Sequence, residues 1–382
     1  MTNPESPRAA NAADLLRQLG FRMPSVRSLQ SAAATAATTT PVPRVEPAAT
    51  PLRSVSLHRR VLHVLNGDSA ADQLKLSDVP GEVSITADVL HEGPAPAGLP
   101  PERWRKVRAR FLAESGYGGY DECLADLTRW DRTVEGYAGY DEVIFWFEHD
   151  LFDQLLLIRL LDWFAGRSLG RTELSLICIG EFPGVEPFHG LGQLSPRQMA
   201  SLLDRKKRVN EGQKLLAKDA WRAFCGADPT AIEAVLRRDT LALPFLAKAL
   251  RRHLEEFPST GNGLSRTEHQ ILRGVAAGSA TFDDLFRAVQ RMEERVFMGD
   301  LTFSRILREL ASGSRPLLRL EGGSPRTQTV ALTATGRDVL DGRDDWVRVH
   351  GIDRWLGGVH LQGAEAAWRW DRGAGRLVGR TA

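Results

Sequence analysis

From residue 61 onward the apolar positions fall into two patterns that alternate along the chain. VLHVL (61–65), EVSITADVL (82–90), DEVIFWFE (141–148) and ELSLICIG (173–180) are short runs rich in β-branched and aromatic residues, the signature of strands. Between them come helical stretches. NGDSAADQLK follows the first strand directly. The segment from Trp104 to Trp130 is helical around a Gly/Tyr break at GYGGY. HDLFDQLLLIRLLDWF (149–164) is apolar on nearly every face, as expected of a helix buried between layers. Strands alternating with helices predict an α/β fold, a Rossmann-like and mostly parallel sheet covered on both sides.

The pattern changes after residue 194. Residues 195–257 are helical throughout, from SPRQMASLLDRKKRVN to LPFLAKALRRHLEEF, and PSTGNG (258–263) marks a boundary because Pro and Gly interrupt regular structure. Beyond it, LSRTEHQILRGVAAG opens with Ser265 and Glu268 at capping-box spacing, and TFDDLFRAVQ repeats that opening with Thr281 and Asp284. LTFSRILRELASG places Phe303, Ile306, Leu307 and Leu310 on one side. The strand-like PLLRLEGG and TQTVALT then bracket a Gly/Ser/Pro turn, and TATGRDVLDG closes the unit. Three helices followed by a hairpin is the order of a winged helix. The last segment, GIDRWLGGVHLQGAEAAWRWDRGAGRLV, predicts a hairpin at WRWD and RLV that returns to the first sheet. The expected organisation is therefore a disordered Ala/Thr/Pro-rich tail over 1–56, an α/β ligand-binding domain over 57–194, a helical segment over 195–257, a winged-helix-like domain over 258–343 and a C-terminal hairpin and tail over 344–382. A short helix at ADLLRQLG is expected within the N-terminal tail.

Composition narrows the partners. The chain has 382 residues, 42% hydrophobic and 26% charged, with a net charge of +2. That balance excludes a protein coating nucleic acid along its length and leaves room only for a local basic patch. No apolar run approaches the roughly 20 residues needed to cross a bilayer, and the N-terminus lacks a signal-peptide core. Cys123, Cys178 and Cys225 are widely spaced and form no CxxC pair, so a disulfide framework or zinc knuckle is not expected, and a reducing cytoplasm suits them.

Several segments taken together, HVLNGDSAADQL, VLHEGP, VIFWFEHDLFDQ, GQLSP, GIDRWLGGVHL and WRWD, resemble the bacterial family called domain of unknown function 1835. The resemblance covers most of residues 61–371. It implies this architecture and a concentration of polar residues at these motifs. It implies no particular reaction or cofactor.

The candidate chemistry sits where strands end, because ligands of open α/β sheets bind beyond the carboxyl ends of the strands. Asn66, Gly67, Asp68 and Ser69 follow the first strand. Gly67 permits a tight turn, Asp68 or Ser69 can cap the next helix, and the free amides there favour an anion. The turn lacks the Walker lysine and the three-glycine fingerprint, so it is neither an ordinary P-loop nor a dinucleotide site. Gly67-Asp68-Ser69 also resembles the nucleophile block of the SGNH serine hydrolases. Their DxxH block has its only nearby counterpart at Asp88-Val89-Leu90-His91, which is out of chain order. A Ser69 nucleophile would need His91 within hydrogen-bond reach.

His91 and Glu92 close the second strand before a Gly-Pro turn and are suited to proton transfer or ligand contact. The densest cluster is Glu148, His149, Asp150, Asp153 and Gln154. A cap at Asp150 and a helix-dipole contact at Asp153 explain two of these five. Asp68, His91, Glu148, His149, Asp150, Asp153 and His189 are ligand types for a metal, but no HxxxH pair supports one, and none is assigned. His189 lies in a Pro/Gly-rich loop after the fourth strand. Arg354, beside Trp355, would reach the same site if the tail rejoins the sheet.

Three functions follow. The first is an enzyme binding a small anionic, nucleotide- or phosphate-like ligand, with Ser69, His91, Glu148 and His149 catalytic and hydrolysis the suited reaction. The second is a ligand-responsive regulator that meets nucleic acid through Ser304, Arg305 and Arg308 of the third helix, with Arg315, Arg319 and Arg326 near the wing. The third is a non-catalytic interaction protein. A continuous positive face on the third helix separates the second from the others.

Overall fold

The computed structural model describes residues 59–322 and 328–379. The expected N-terminal tail with its short helix, and Arg326, lie outside these residues. The first strand β1 (Val61–Leu65), with α1 (Asp68–Lys75) and β2 (Glu82–Ile85), opens the α/β part. It continues through α2 (Pro101–Glu114), α3 (Tyr120–Glu135), β4 (Glu142–Glu148), α4 (Leu151–Phe164) and β5 (Glu173–Ile179), with the two-residue β3 (Gly93–Pro94) preceding α2. After α5 (Pro196–Ser201), the short β6 (Lys207–Arg208) completes a five-stranded sheet of order β2-β1-β4-β5-β6. Its first four strands are parallel and β6 is antiparallel to β5. Lys207 and Arg208 were expected within a helix; they form the sheet edge, where charged residues resist further strand addition.

Every residue of β4 is buried, as a central parallel strand requires. The apolar helix α4 lies on one face against α6 (Glu211–Cys225) and α8 (Leu246–Leu254), which flank α7 (Thr230–Leu236). Phe145, Phe147, Leu157, Phe164, Ala217 and Leu250 share that core. On the other face α1 and α5 cover Leu65, Trp146 and Ile177. The expected two-sided α/β sheet is present.

Residues 264–340 have their own core. The helices α9 (Arg266–Ala276), α10 (Phe282–Arg291) and α11 (Asp300–Leu310) precede the hairpin β7 (Leu318–Glu321) and β8 (Thr329–Leu332) and helix α12 (Ala334–Leu340). Ile271, Phe282, Leu285, Phe303, Leu307 and Val330 pack at its centre. Ser265 and Thr281 accept from the amides of Glu268 and Asp284, as their spacing predicts. A short helix α13 (Trp346–His350) leads to β9 (Ile352–Gly357), β10 (Val359–Gly363) and the hairpin β11 (Trp368–Asp371) with β12 (Arg376–Gly379).

Two expectations need correction. The second strand does not run to Leu90. It ends at Ile85, and the chain then turns inward to bury Asp88 against Arg108 of α2. Both side chains are wholly buried, with Nη2 donating to Asp88 at 2.6 Å and Nη1 to the carbonyl of Glu92 at 2.8 Å. A charge this deep must be paired, so it holds the 86–94 loop off the sheet. The C-terminal segment also does not join the central sheet. The expected hairpin forms, but β9 pairs with β10 and with β3 in a separate three-stranded sheet. Gly358 makes this docking feasible. Its amide donates to the carbonyl of Phe224 at 2.9 Å, and a Cβ there would collide with the carbonyl of Cys225.

The Arg108–Asp88 pair generates a stability prediction. Arg108→Met leaves Asp88 buried without a partner and should cost about 3–5 kcal/mol in denaturant unfolding. Adding Asp88→Leu should recover much of that loss, since paired removal spares the protein an isolated charge.

Candidate functional site

The strand-end residues separate into two groups. The first lies at the carboxyl end of β4. One carboxylate oxygen from each of Glu148, Asp150 and Asp153 lies within 4.8 Å of the others, and all three residues are buried. The local sequence dictates this. β4 delivers Glu148 at its last position, Asp150 N-caps α4 by accepting from the Asp153 amide at 3.1 Å, and Asp153 turns back to accept from the Glu148 amide at 2.7 Å. Asn66, at the end of the neighbouring β1, donates to Asp153 at 2.8 Å and to Glu148 at 3.2 Å. Gln154 donates to the Glu148 carbonyl at 2.6 Å. Asn66, Glu148, Asp150, Asp153 and Gln154 are thus brought together as expected.

The loop after β5 covers this cluster. The Leu191 amide donates to Glu148 at 2.6 Å. Gly190, at φ 153°, and Gly192 allow the approach: a Cβ on the first would collide with the Glu148 carboxylate, and one on the second with the Ser69 hydroxyl. Asp68 and Ser69 sit exposed in the first turn of α1 at the rim. Neither caps that helix; the capping position is Gly67, which has no side chain. His189 is exposed on the covering loop, where its amide donates to Gln193.

Three mutually close carboxyl groups removed from water cannot all ionise freely. Burial, then the neighbouring Asp150, pushes Glu148 up to about 8, against the opposing Leu191 amide and Asn66. Burial raises Asp150 to about 6 and drives Asp153 upward, the latter reinforced by Glu148 and Asp150. Among the described residues, no Lys, Arg or His side chain forms an ion pair with any of the three. The nearest positive influence is Arg295, which acts on Asp150 from a distance and donates to the His149 carbonyl at 2.8 Å.

No protein-family model matches the chain, and no curated protein was found to match it.

Three expected assignments are corrected. His149 does not serve the carboxylates. Its ring packs against Phe188 and Phe245, and burial, then Arg295, lowers it to about 4. His91 does not partner Ser69. The second strand ends early, so His91 falls away from the strand tips and packs against Phe152 and Phe297, with no hydrogen-bond partner on either ring nitrogen. Arg354 does not reach the β4 cluster, because β9 docks on β3. It binds Glu268 at 2.5 Å and Glu309 at 3.0 Å instead.

These displaced residues form the second group. His91, Glu92, Arg305 and Arg354 line a cavity of about 190 Å³ between the α/β part and the α9–α11 unit. Glu92 accepts from Tyr117, Thr302 and Arg305 at 2.6, 3.0 and 2.6 Å. Burial pushes its carboxyl up, but Arg305 and the Tyr117 hydrogen bond prevail and hold it below the usual range. This geometry also turns part of the expected nucleic-acid face inward or into ion pairs. Ser304 is buried, Arg305 is bound to Glu92, and Arg315 and Arg319 pair with Asp344 and Glu321. Only Arg308 of the expected trio is exposed without an acidic partner, and it donates to the Ser304 carbonyl. A larger groove of about 730 Å³, lined by Arg60, Glu82 and Tyr140, lies at the opposite, amino end of the strands.

Sequence reasoning missed Arg295, the Leu191 amide, Tyr117 and Thr302, which come from distant loops and helices with no motif. The close glycines 190 and 192 were the one available signal for the covering loop.

The Glu148 carboxyl makes stability depend on pH. Its folded value, about 8, lies above its unfolded value of 4.5, so the folded state holds a proton that the unfolded state releases between those limits. Stability from this group is present below pH 4.5 and is lost as pH rises to 8. In metal-free buffer with EDTA, Glu148→Gln should flatten the decline by up to about 1.4 kcal/mol per pH unit across that window. Urea titrations at pH 5, 6.5 and 8 measure this.

Proposed function

We propose that this protein holds a divalent cation on Glu148, Asp150 and Asp153 and uses it to bind a small anionic ligand over the Asn66–Ser69 turn. Hydrolysis of a phosphate-type ester is the reaction class that suits this arrangement. One observation carries the reading: three buried carboxylates lie close together and, among the described residues, no basic side chain pairs with them. Such a cluster must keep protons or take a cation, and oxygen-only donors favour a hard ion such as Mg²⁺, Mn²⁺ or Ca²⁺. The cation also reconciles the acidic cluster with an anionic ligand. The first-turn amides of α1 favour an anion, but Asp68 and three nearby carboxylates repel one. A bound cation reverses that field and can polarise an ester oxygen or lower the pKa of a bound water. Asn66 would orient Glu148 and Asp153, and the exposed Ser69 would meet the ligand at the rim.

Membership of the family of unknown function 1835 belongs to the same proposal. It is supported by where the shared motifs fall: HVLNGDSAADQL spans β1 and α1, VIFWFEHDLFDQ spans β4 and the start of α4, and GIDRWLGGVHL spans β9 and β10. The α9–α11 helices with the β7–β8 hairpin follow the order of a winged helix. The inward pairing of Arg305 favours a role in internal contact over nucleic-acid reading.

Wild-type protein in EDTA should gain several °C in melting temperature on adding millimolar MnCl₂ or MgCl₂, as binding at tens of times Kd stabilises by about 2 kcal/mol. Asp150→Asn keeps a capping side chain. It should be at least as stable in EDTA at pH 8 and should lose the cation response. An unchanged melting temperature with Mg²⁺, Mn²⁺ and Ca²⁺ alike would refute the proposal.

A further inference from the structure

The cavity between the α/β part and the α9–α11 unit is separate from the β4 carboxylates and has a different electrostatic character. Four carboxylates line it, from Glu92, Glu256, Glu268 and Glu309, against two guanidinium groups, Arg305 and Arg354; Asp353, at the rim, is 75% exposed and pairs with His360. The arginines are already engaged. Arg305 binds Glu92 and Glu309, and Arg354 binds Glu268 and Glu309. Behind the wall, Arg252 binds Glu256 but also Glu293, so it brings one negative charge for its positive one. The excess is two negative charges whether or not that pair is counted.

Glu256 and Glu309 retain their charge. Burial opposes ionisation of Glu256, yet Arg252 and Thr267 hold it down to about 2. Burial likewise opposes ionisation of Glu309, and Arg354 and Arg305 hold it below the ordinary range. His91 contributes no positive charge, because burial lowers its pKa. It is only 7% exposed, and neither ring nitrogen has a hydrogen-bond partner. A buried imidazole left unpaired is unusual among native polar groups, and its lone-pair nitrogen suits a ligand N–H. The rest of the wall is aromatic or aliphatic, including Phe111, Phe297 and Trp355. Ring faces attract cations.

We propose that this cavity is a binding site for a small organic cation, a primary ammonium on a compact apolar or aromatic body, held by the surplus carboxylates and by His91. At 190 Å³ the space equals about six water molecules in the liquid, which limits the guest to a metabolite-sized amine. Because Glu92 belongs to the α/β part while Arg305 and Glu309 belong to α11, a guest here touches both parts of the molecule.

Benzylammonium, benzyl alcohol and benzoate share one ring and differ in charge, so they serve as probes in calorimetric titration against the full chain in EDTA. Benzylammonium should bind, benzyl alcohol at least about tenfold more weakly, and benzoate undetectably. His91→Leu removes no internal hydrogen bond, so it should keep its melting temperature and lose about tenfold in benzylammonium affinity. Ile306→Trp fills the cavity without changing its charge and should abolish binding. The proposal falls if benzylammonium fails to bind the wild type, or if benzoate binds as well. It also falls if folded His91→Leu or Ile306→Trp protein binds benzylammonium like the wild type. EDTA keeps this result independent of any cation at the β4 cluster.

Discussion

The architecture turns on a ladder of alternating charges, Glu92–Arg305–Glu309–Arg354–Glu268, that runs from the loop after β2 through α11 and β9 to the start of α9. Each arginine bridges two carboxylates, so its charge is matched from two directions. Ion pairs of this kind cost desolvation as well as returning attraction. Their main effect is to specify geometry: α11 can sit against the first half only where Arg305 meets Glu92 and Thr302 meets the same carboxylate. Tyr117 adds a further donor at 2.6 Å to that carboxylate, so the turn after α2, α11 and the 86–94 loop converge on one side chain.

Against this arginine-bridged ladder, the cluster at the end of β4 stands out by contrast. Its carboxylates are as deeply buried, yet their hydrogen bonds come from amides, of Leu191, Asp153, Glu148 and the Asn66 side chain. Amides orient a carboxylate but bring no net charge. The same chain therefore has one acidic region whose ionisation is secured by arginine and another whose ionisation is resisted. Strongly shifted carboxyl groups of the second kind concentrate where proteins bind ions or perform acid–base chemistry.

Much of the fold was legible from local pattern. The runs at 61–65, 142–148 and 173–179 became parallel strands, the apolar helix after Glu148 became the buried α4, and the capping spacings at Ser265 and Thr281 marked true helix starts. The strand-end cluster at 148–154 was legible too, because dense polar residues between a buried strand and a buried helix need a reason. What failed was the range of the second strand. EVSITADVL has strand composition throughout, but Arg108, twenty residues away in sequence, takes Asp88 into the interior and ends the strand early. That single pairing moved His91 and Glu92 from the expected site to the other cavity.

The chain by itself determined most of the strands and helices, the end of β2 and the edge strand β6 excepted, because periodicity and capping are local properties of neighbouring residues. It also determined that Glu148, Asp150 and Asp153 would crowd one another, since all three belong to a single strand–helix junction. Only tertiary structure decided the partners of the long-range charges. Arg305 faces Glu92 rather than solvent, Arg354 faces Glu268 and Glu309, and His91 is left with none. Coulombic pairing depends on distance in space and on burial, and neither is recorded in the order of residues.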